Sequence, residues 1–480
     1  MTAGRLGPFL LMCVAMFLGL GGLPILAASV ADTEQSHLQR VLLLQDYNTR
    51  VVLLGTTLLG ISGGVIGVFM LLRKRSLIAD VVGHSALPGI AMAFILCEAA
   101  RPGIGRNVPL LMLGAALAGL LGAVLVMVID GFSRTKSDAA MAIVLSTFYG
   151  LGTALLTVVQ HLPTASAAGL KDYLNGKTAS LVASDVWVFA ICSAVLLFVT
   201  ALLFKELTLL CFDKEFAAAE GWPVFRLDAL LTALVVGITI LGMQSVGLLL
   251  VVAVLIIPAS AARFWSNGIR SLTIISGTIG GLSAACGTII SALYPRIAAG
   301  AVIVLSGTAF FVVSMLFGRQ RGLIWTVLEA RRMQRRIGRH DLLRAAYEIV
   351  EADCCPDRHQ VPSDAQLLNA LFSHDQLIAM RTWSARRVRQ LVQSACQHEL
   401  LIPVGGSLRL TPEGAALARR AVRNHRLWEL YLITFAEVAP SRVDRAADRI
   451  EHVLEPDVIR QLELRLTAQQ TAAVPQSPHD

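Results

Sequence analysis

Residues 76–89 read Ser-Leu-Ile-Ala-Asp-Val-Val-Gly-His-Ser-Ala-Leu-Pro-Gly and lead directly into an apolar segment that ends at Leu96. Asp80 and His84 are four residues apart, so a helix places them on one face, about one turn from each other. Ionisable groups in or beside a membrane segment are energetically costly, and they usually face a pathway or a partner. This stretch therefore predicts a membrane helix that carries an acid–imidazole pair.

The pair allows two interpretations. A carboxylate together with an imidazole suits Mn(II), Zn(II) or Fe(II) better than Na⁺ or K⁺, which favours an ion pathway. Alternatively, Asp80 caps the helix at the membrane boundary while His84 bonds to a neighbouring backbone group. Spacing alone leaves both interpretations open.

The whole chain has the composition of a polytopic membrane protein. Of its 480 residues, 55% are hydrophobic and 15% are charged, and the mean hydropathy is +0.65, which exceeds what a soluble core needs. After Gly318 the long apolar runs disappear and charged residues become frequent, which predicts a second, soluble domain. The net charge of +8 is compatible with nucleic-acid binding or with basic loops beside a membrane, so charge alone does not decide.

The amino-terminal segment 1–31 has the order of a secretory signal peptide. Arg5 precedes an apolar stretch, Pro8–Leu26, and small residues lead to Ala31, which predicts cleavage near Ala31. An uncleaved signal-anchor helix is the alternative. Both interpretations place residues 32–48 outside the cell membrane.

Further apolar segments of spanning or near-spanning length follow the signal segment. They predict eight or nine spans within a membrane domain at 32–318, at about 50–72, 82–99, 108–130, 139–160, 184–204, 227–243, 246–262, 271–293 and 297–317. If residue 50 starts outside, simple alternation places the more basic loops, including Arg73-Lys74-Arg75, on the inside. Everything after 318 is then cytoplasmic.

The chain carries no nucleotide-binding motif. Gly176-Lys177-Thr178 mimics the end of a phosphate-binding loop, but Lys171 stands where the first glycine is required. Any ATP hydrolysis must therefore come from a partner. We expect a non-enzymatic subunit whose membrane domain holds no cofactor.

Three sequence motifs follow one another along the membrane domain. Residues 75–91 read Arg-Ser-Leu-Ile-Ala-Asp-Val-Val-Gly-His-Ser-Ala-Leu-Pro-Gly-Ile-Ala, similar to the signature S-L-I-G-D-A-L-S-H-A-V-L-P-G-I-A of the zinc/manganese/iron permease family of ABC importers. Residues 211–223, Cys-Phe-Asp-Lys-Glu-Phe-Ala-Ala-Ala-Glu-Gly-Trp-Pro, resemble the cytoplasmic loop of that family, and residues 247–262 resemble its next apolar signature. The resemblance covers roughly residues 45–320.

This resemblance implies a fold, a location and partners. The fold is an all-α polytopic bundle like that of vitamin B12 permeases, with 8–9 spans, in the bacterial inner (cytoplasmic) membrane. It implies a second permease subunit in a homo- or heterodimer, an extracytoplasmic metal-binding protein and a cytoplasmic ABC ATPase. Asp80 and His84 match the positions proposed to touch the ion.

The same resemblance implies a coupling loop that docks into the ATPase. Its residues in this chain are Phe212, Asp213, Glu215, Glu220 and Gly221. An ordinary amphipathic loop is the alternative interpretation.

The sequence after the membrane domain predicts a winged helix. Helices at 340–352, 363–377 and 384–399 precede an alternating segment around Gly405-Gly406, and Thr411-Pro412 offers a helix start. The predicted parts are a basic helical linker (319–339), a winged-helix domain (340–422), a helical metal-binding and dimerisation region (423–467) and a flexible tail (468–480).

Residues 425–432 (His-Arg-Leu-Trp-Glu-Leu-Tyr-Leu) and 447–454 (Ala-Asp-Arg-Ile-Glu-His-Val-Leu) resemble the diphtheria-toxin-repressor and manganese-regulator family. The resemblance implies bound Mn(II), Fe(II) or Zn(II), with the ligands Asp341, His425, Asp448, Glu451 and His452. Arg344 departs from the family pattern, because manganese regulators have a carboxylate there. We therefore expect at most one good site; the alternative is that the five residues are salt-bridging groups on helix surfaces.

The same resemblance gives the third predicted helix a possible role in DNA recognition. Its contact residues would be Ser384, Arg386, Arg387, Arg389 and Gln390, whose arginines suit phosphates or guanine edges. A charged, solvated helix face is the alternative, and tethering to a membrane makes chromosomal DNA awkward to reach.

Three functional hypotheses follow. We favour a metal-importer permease whose C-terminal domain senses cytoplasmic metal and tunes transport. A fused permease and repressor, released by proteolysis within 319–339, is the second. A secondary transporter or channel is the third, and the absence of an inverted hydropathy repeat disfavours it.

Overall fold

The computed structural model describes residues 45–100, 108–161, 181–245, 247–294, 297–354, 361–381, 383–436 and 474. The chain divides into two compact units, Met1–Trp325 and Thr326–Asp480, called here the membrane unit and the C-terminal unit. The predicted signal peptide and the predicted ligands Asp448, Glu451 and His452 lie outside the described residues.

The membrane unit is helical along its described length. Its helices are α1 (Tyr47–Leu72), α2 (Ile78–Ala100), α3 (Val108–Phe132), α4 (Ser137–Gln160), α5 (Ala183–Leu202), α6 (Phe204–Phe212), α7 (Lys214–Ala219), α8 (Val224–Ser245), α9 (Leu248–Ala262), α10 (Ile269–Leu293) and α11 (Ala299–Phe317). Eight of them, α1–α5, α8, α10 and α11, are long and apolar enough to cross a membrane. These eight candidates match the lower of the two predicted numbers within the described residues, and α9 is a shorter apolar helix of 15 residues.

The spanning helices form an inner and an outer set. Between 61% and 67% of the apolar stretch is buried in α1, α2, α8 and α10, against 17% in α4 and α5. Large apolar side chains such as Trp187 and Phe198 of α5 are 70% and 67% exposed. In water such a surface would be unfavourable, so lipid or a partner subunit must cover it.

Helices α1 and α10 approach each other through small residues. A Cβ atom on Gly60 would lie 2.3 Å from the Gly280 carbonyl oxygen, and one on Gly280 would lie 2.1 Å from the Gly60 oxygen. One turn further, the Ser276 hydroxyl donates to the Gly64 carbonyl at 2.6 Å. This small-residue packing replaces the hydrophobic effect, which does not act between helices in lipid.

Past the last candidate span, the chain forms helices and one hairpin. They are α12 (Leu323–Cys354), α13 (Asp364–Asn369), α14 (His374–Arg381), α15 (Ala385–Gln397), β1 (Leu401–Val404), β2 (Ser407–Leu410) and α16 (Pro412–Ala436). One apolar core, which includes Tyr347, Phe372 and Leu408, joins these elements within the C-terminal unit. The basic stretch 319–339 and the first predicted helix, 340–352, thus fall largely within the single helix α12.

The hairpin was predicted correctly. Leu401 pairs with Leu410 and Val404 with Ser407 in an antiparallel register, and Gly405 and Gly406 both have positive φ, as a tight hairpin turn requires. Thr411 then accepts a hydrogen bond from the Gly414 amide at 2.9 Å, so α16 begins at Pro412.

The prediction of one helix over 363–377 was wrong. The chain forms α13 and α14 with a break at 370–373, where Phe372 exchanges two backbone hydrogen bonds with Leu408 of β2. Ser373 starts a new helix by accepting from the Gln376 amide. The backbone groups of Phe372 find their hydrogen-bond partners in β2, so they do not need the partners that a continuous helix would provide.

Candidate functional site

The acid–imidazole pair lies in the first two turns of α2. His84 Nε2 is 3.4 Å from Asp80 Oδ1, and the two side chains are 14% and 32% exposed. Because that distance is longer than a normal hydrogen bond, the carboxylate lies near the imidazole but is not strongly hydrogen-bonded to it. The ring of His84 meets the ring of Tyr149 from α4 edge to face, with 5.1 Å between centroids.

Two further atoms of this site have lone pairs available. His84 Nδ1 is buried and has no hydrogen-bond partner among the described residues. Pro88 lies inside α2 and has no amide hydrogen, so the carbonyl oxygen of His84 receives no helical hydrogen bond from it. The first turns of α2 therefore present carboxylate, imidazole and carbonyl donors, which suit a divalent cation.

The pair is incomplete as a metal centre in a single chain. No group of three or more His, Cys, Asp or Glu side chains is close enough to hold an ion within the part of the chain that the structure describes. Transition metals take four or more ligands. Tyr149, beside the pair, is 47% exposed, so the pair borders the surface of the chain rather than its core.

The predicted coupling residues form an exposed helix and turn. Asp213 caps α7 by accepting from the Phe216 amide at 2.8 Å, and Phe212 is 70% exposed. Glu220 ends α7, and Gly221 follows with φ +81° and open space around its Cα. The segment, with Glu215 also exposed, presents its side chains away from the bundle.

Sequence reasoning missed a charge cluster between these two regions. Asp228 of α8 accepts from Arg73 Nη2 at 2.9 Å and from Arg75 Nη1 at 2.7 Å. Arg75 also donates to Asp130 of α3 at 2.9 Å, and Arg73 donates to the Leu210 carbonyl of α6 at 3.1 Å. The sequence predicts Arg73 and Arg75 as basic loop residues, with Arg75 also at the start of the family motif, but it predicts no partner for them. They tie α3, α6 and α8 to the turn that begins α2.

The Cys211 thiol lies beside this cluster, on α6. It is 3.7 Å from the Phe69 carbonyl. Burial raises the pKa of Cys211 to about 12, with a smaller lowering by Arg73 and a further rise from Asp228. The thiol is therefore protonated at neutral pH and is a poor nucleophile.

We expect Cys211 to resist maleimide in the folded protein. In a variant in which Cys211 is the only cysteine, labelling at pH 8 should be about a thousandfold slower than for an unperturbed thiol, because thiolate is the reactive form. A variant whose only cysteine is Phe212→Cys, at the exposed neighbouring position, is the control. Equal labelling rates in the two native proteins would contradict the buried environment.

In the C-terminal unit, the predicted ligands are only partly brought together. His425 of α16 is 2% exposed and contacts Arg344 and Glu429, of which Glu429 was not predicted. Asp341 is half-buried on α12. Of the two described members of the predicted set, His425 is thus in contact with the basic residue Arg344.

The predicted DNA-contact residues lie at the start of α15. Ser384 caps this helix by accepting from the Arg387 amide at 3.3 Å, and Arg386 and Arg389 are exposed. Arg387 and Gln390 line a groove of about 460 Å³, whose other side is formed by residues of α12, Arg331, Gln334 and Arg335. Among the described residues, three arginines, Arg331, Arg335 and Arg387, and no acidic residue line this groove.

Comparison with known proteins places the membrane unit in a family. A model of the ABC 3 transport family matches residues 45–318, more than half of the chain. The chain belongs to the ABC 3 transport family. A second model, described as the metal binding and dimerisation domain of iron dependent repressors, matches residues 411–473. Both resemblances stated from the sequence are confirmed.

Three relatives illustrate the extent of the match to the ABC 3 transport family. The manganese transport system membrane protein MntC of Bacillus subtilis is 38% identical over 403 residues, which cover 84% of this chain and 88% of MntC. The zinc transport system membrane protein TroC of Treponema pallidum is 38% identical over 291 residues, 61% of this chain and 96% of TroC. The solved structure of PsaBC from Streptococcus pneumoniae in complex with Fab matches with a TM-score of 0.51 and 31% identity, covering 60% of this chain and 97% of that chain.

Proposed function

We propose that this chain is the permease subunit of an ATP-driven importer of a divalent transition metal, manganese or zinc, with a regulatory C-terminal unit. The observation that carries the proposal is the Asp80–His84 pair on α2, with the unpartnered imidazole Nδ1 beside it. Carboxylate and imidazole donors bind Mn(II) and Zn(II). Relatives named as manganese and zinc transport proteins support the same cargo.

Uptake of radioactive manganese by cells that contain the complete importer tests this function. We expect uptake that requires ATP hydrolysis by the partner ATPase and that Zn(II) inhibits, while excess Mg(II) and Ca(II) do not. Uptake that persists after deletion of the ATPase would indicate a channel or secondary transporter and would refute the proposal.

A second permease subunit is proposed to complete the ion site. The single chain offers one carboxylate and one imidazole at the bundle surface, next to the exposed Tyr149. A two-fold partner doubles this set to two carboxylates and two imidazoles, which is enough to coordinate a transition metal. The metal would be delivered by an extracytoplasmic binding protein.

The orientation of the chain depends on α9. If α9 crosses the membrane, the basic loops and the C-terminal unit all lie on the cytoplasmic side. If α9 does not cross, they cannot all lie on that side. Its 15 residues span about 22 Å against about 30 Å of hydrocarbon. The middle of α9 packs closely on α1, since a Cβ on Gly67 of α1 would lie 2.0 Å from the Leu255 carbonyl of α9, and this packing supports α9 as a short crossing helix.

The exposed α7 segment is proposed to dock into the ATPase. An L-residue at positive φ costs about 1–2 kcal/mol, so Gly221→Ala should lower the population of the docking conformation of this turn roughly 5- to 30-fold. We expect metal-stimulated ATP hydrolysis to fall by the same factor. ATPase activity of the reconstituted complex measures this effect. Gly405→Ala, also at positive φ in open space, is the matched control in the other unit; equal losses in both variants would remove the coupling role.

The C-terminal unit is proposed to be a tethered winged helix. Helices α12, α14 and α15 and the hairpin share one core, in the order that a winged helix has. The predicted linker, 319–339, lies largely in the helix α12. Since helical backbone is a poor protease substrate, we favour a regulator that stays attached over a repressor released to bind DNA.

A further inference from the structure

Arg344 is a buried cation at the centre of the C-terminal unit. It is 5% exposed and donates from Nε to Glu348 Oε1 at 2.7 Å on the same helix, α12. Its Nη1 lies 2.7 Å from Nδ1 of His425 on α16. Arg381 approaches the other oxygen of Glu348 at 3.5 Å. The guanidinium therefore bridges two helices through a carboxylate and an imidazole.

The chemistry of these contacts fixes the state of His425. A guanidinium donates hydrogen bonds and accepts none, so Nδ1 must be the acceptor. The imidazole is then neutral and carries its hydrogen on Nε2, which lies 3.1 Å from Glu429 Oε1. His425 and Glu429 are both 2% exposed, so water does not compete for either contact.

The contacts of His425 do not fit its predicted role as a metal ligand. A metal binds histidine through a nitrogen lone pair, and the lone pair of Nδ1 already accepts from Arg344. A divalent ion placed at this nitrogen would also sit against a buried positive charge, which is strongly unfavourable in a low-dielectric interior. Metal binding at His425 would require displacement of the arginine.

We propose that Arg344 is the resident cation of the C-terminal unit, taking at His425 the place of a metal ion, so that His425 binds no Mn(II) in this chain. The partly buried carboxylate of Glu348 is balanced by the fixed charges of Arg344 and Arg381 instead of an exchangeable ion. An ion pair also joins the two helices, because Arg426 of α16 donates from Nη1 to Glu351 Oε1 of α12 at 3.0 Å. The described contacts between α12 and α16 thus need no metal ion. The inference goes beyond the transport function and does not depend on which ion is carried.

Counting of Mn(II) bound to the purified full-length chain, by equilibrium dialysis and electron paramagnetic resonance, tests this proposal. We expect His425→Gln to leave the number of bound ions unchanged from the natural chain. Arg344→Glu should bind one more ion per chain, and His425→Gln added to Arg344→Glu should abolish the gain. Arg389→Glu, the same charge change on an exposed position of α15, should bind no additional ion.

Two results would overturn the proposal. One is a Mn(II) ion in the natural chain that disappears in His425→Gln. The other is a folded Arg344→Glu variant, checked by circular dichroism and limited proteolysis, that gains no ion. If Arg344→Glu fails to fold, Arg344→Met replaces it, because methionine removes the charge and has a similar length. An unchanged Mn(II) count in folded Arg344→Met would also refute the role of Arg344. If neither variant folds, the comparison of the natural chain with His425→Gln decides. Uptake is not part of the readout, so failure of the transport function would leave this result unaffected.

Discussion

Alanine at Asp80 or at His84 is expected to lower metal uptake at least about tenfold, since the loss of even outer-shell partners of a metal costs 10- to 100-fold. The two side chains are 3.4 Å apart at the start of α2. If two permease subunits together form the ion site, each substitution removes two of its ligands at once. The effect should appear in both the maximal rate of uptake and its metal dependence.

The controls for this experiment come from the same part of the chain. Asp138, in the first turn of α4, and His161, after its end, are both exposed, so Asp138→Ala and His161→Ala remove the same chemical groups away from the pair. Both controls should keep uptake within twofold of the natural chain. Normal uptake by a well-expressed Asp80→Ala, His84→Ala double variant would show that the pair only caps and packs α2.

The spans and the pair were predictable because their signals are local. Hydropathy marks each apolar helix without knowledge of its neighbours, and the spacing of Asp80 and His84 places them on one helical face whatever packs against it. The hairpin at Gly405-Gly406 is equally local, since its turn residues determine the register of the two strands. The predictions of these features did not depend on any contact between distant parts of the chain.

The break between α13 and α14 shows a local signal that was overlooked. Ser363 and Gln366 form a capping box at the start of α13, and Ser373 with Gln376 repeats the pattern ten residues later. Two helix starts so close together predict two helices. The apolar periodicity over 363–377 suggested one helix because it continues across the break.

The charge clusters were not predictable from spacing. Arg73 and Asp228 are 155 residues apart in the chain, and Arg344 and His425 are 81 apart, so only the folded chain brings them together. A partial signal existed in the membrane domain, because Asp130 and Asp228 fall inside segments predicted to span. An acid in an apolar span usually pairs with a base, but the sequence does not say with which one.

Replacement of Asp228 by alanine is expected to lower the free energy of unfolding by about 3–5 kcal/mol, the typical cost of leaving a buried charge without its partner. Asp228 is 8% exposed, and both arginines that donate to it are 12% exposed. Arg75 would retain Asp130, whereas Arg73 would retain only the Leu210 carbonyl. Thermal unfolding in detergent measures the loss, with exposed Asp138→Ala as the control.

A paired substitution separates the structural part of this effect from a role in coupling. Asp228→Leu together with Arg73→Met removes both charges, and apolar replacement of a buried ion pair is often neutral or stabilising. The midpoint of unfolding should therefore return to near that of the natural chain, while Arg75 keeps its contact with Asp130.

Metal uptake in the paired variant then decides what the cluster does. The Arg73 contact with Leu210 joins α6, next to the proposed ATPase-docking segment, to the turn that begins α2 and positions Asp80. If movement of the docking segment reaches α2 through this contact, the stable paired variant should still hydrolyse ATP but import metal poorly. Restored uptake would mean that the cluster only holds the helix ends together. This comparison is informative because the apolar replacement keeps the packing but removes the hydrogen bond from Arg73 to Leu210, so a loss of uptake without a loss of stability would be due to that bond.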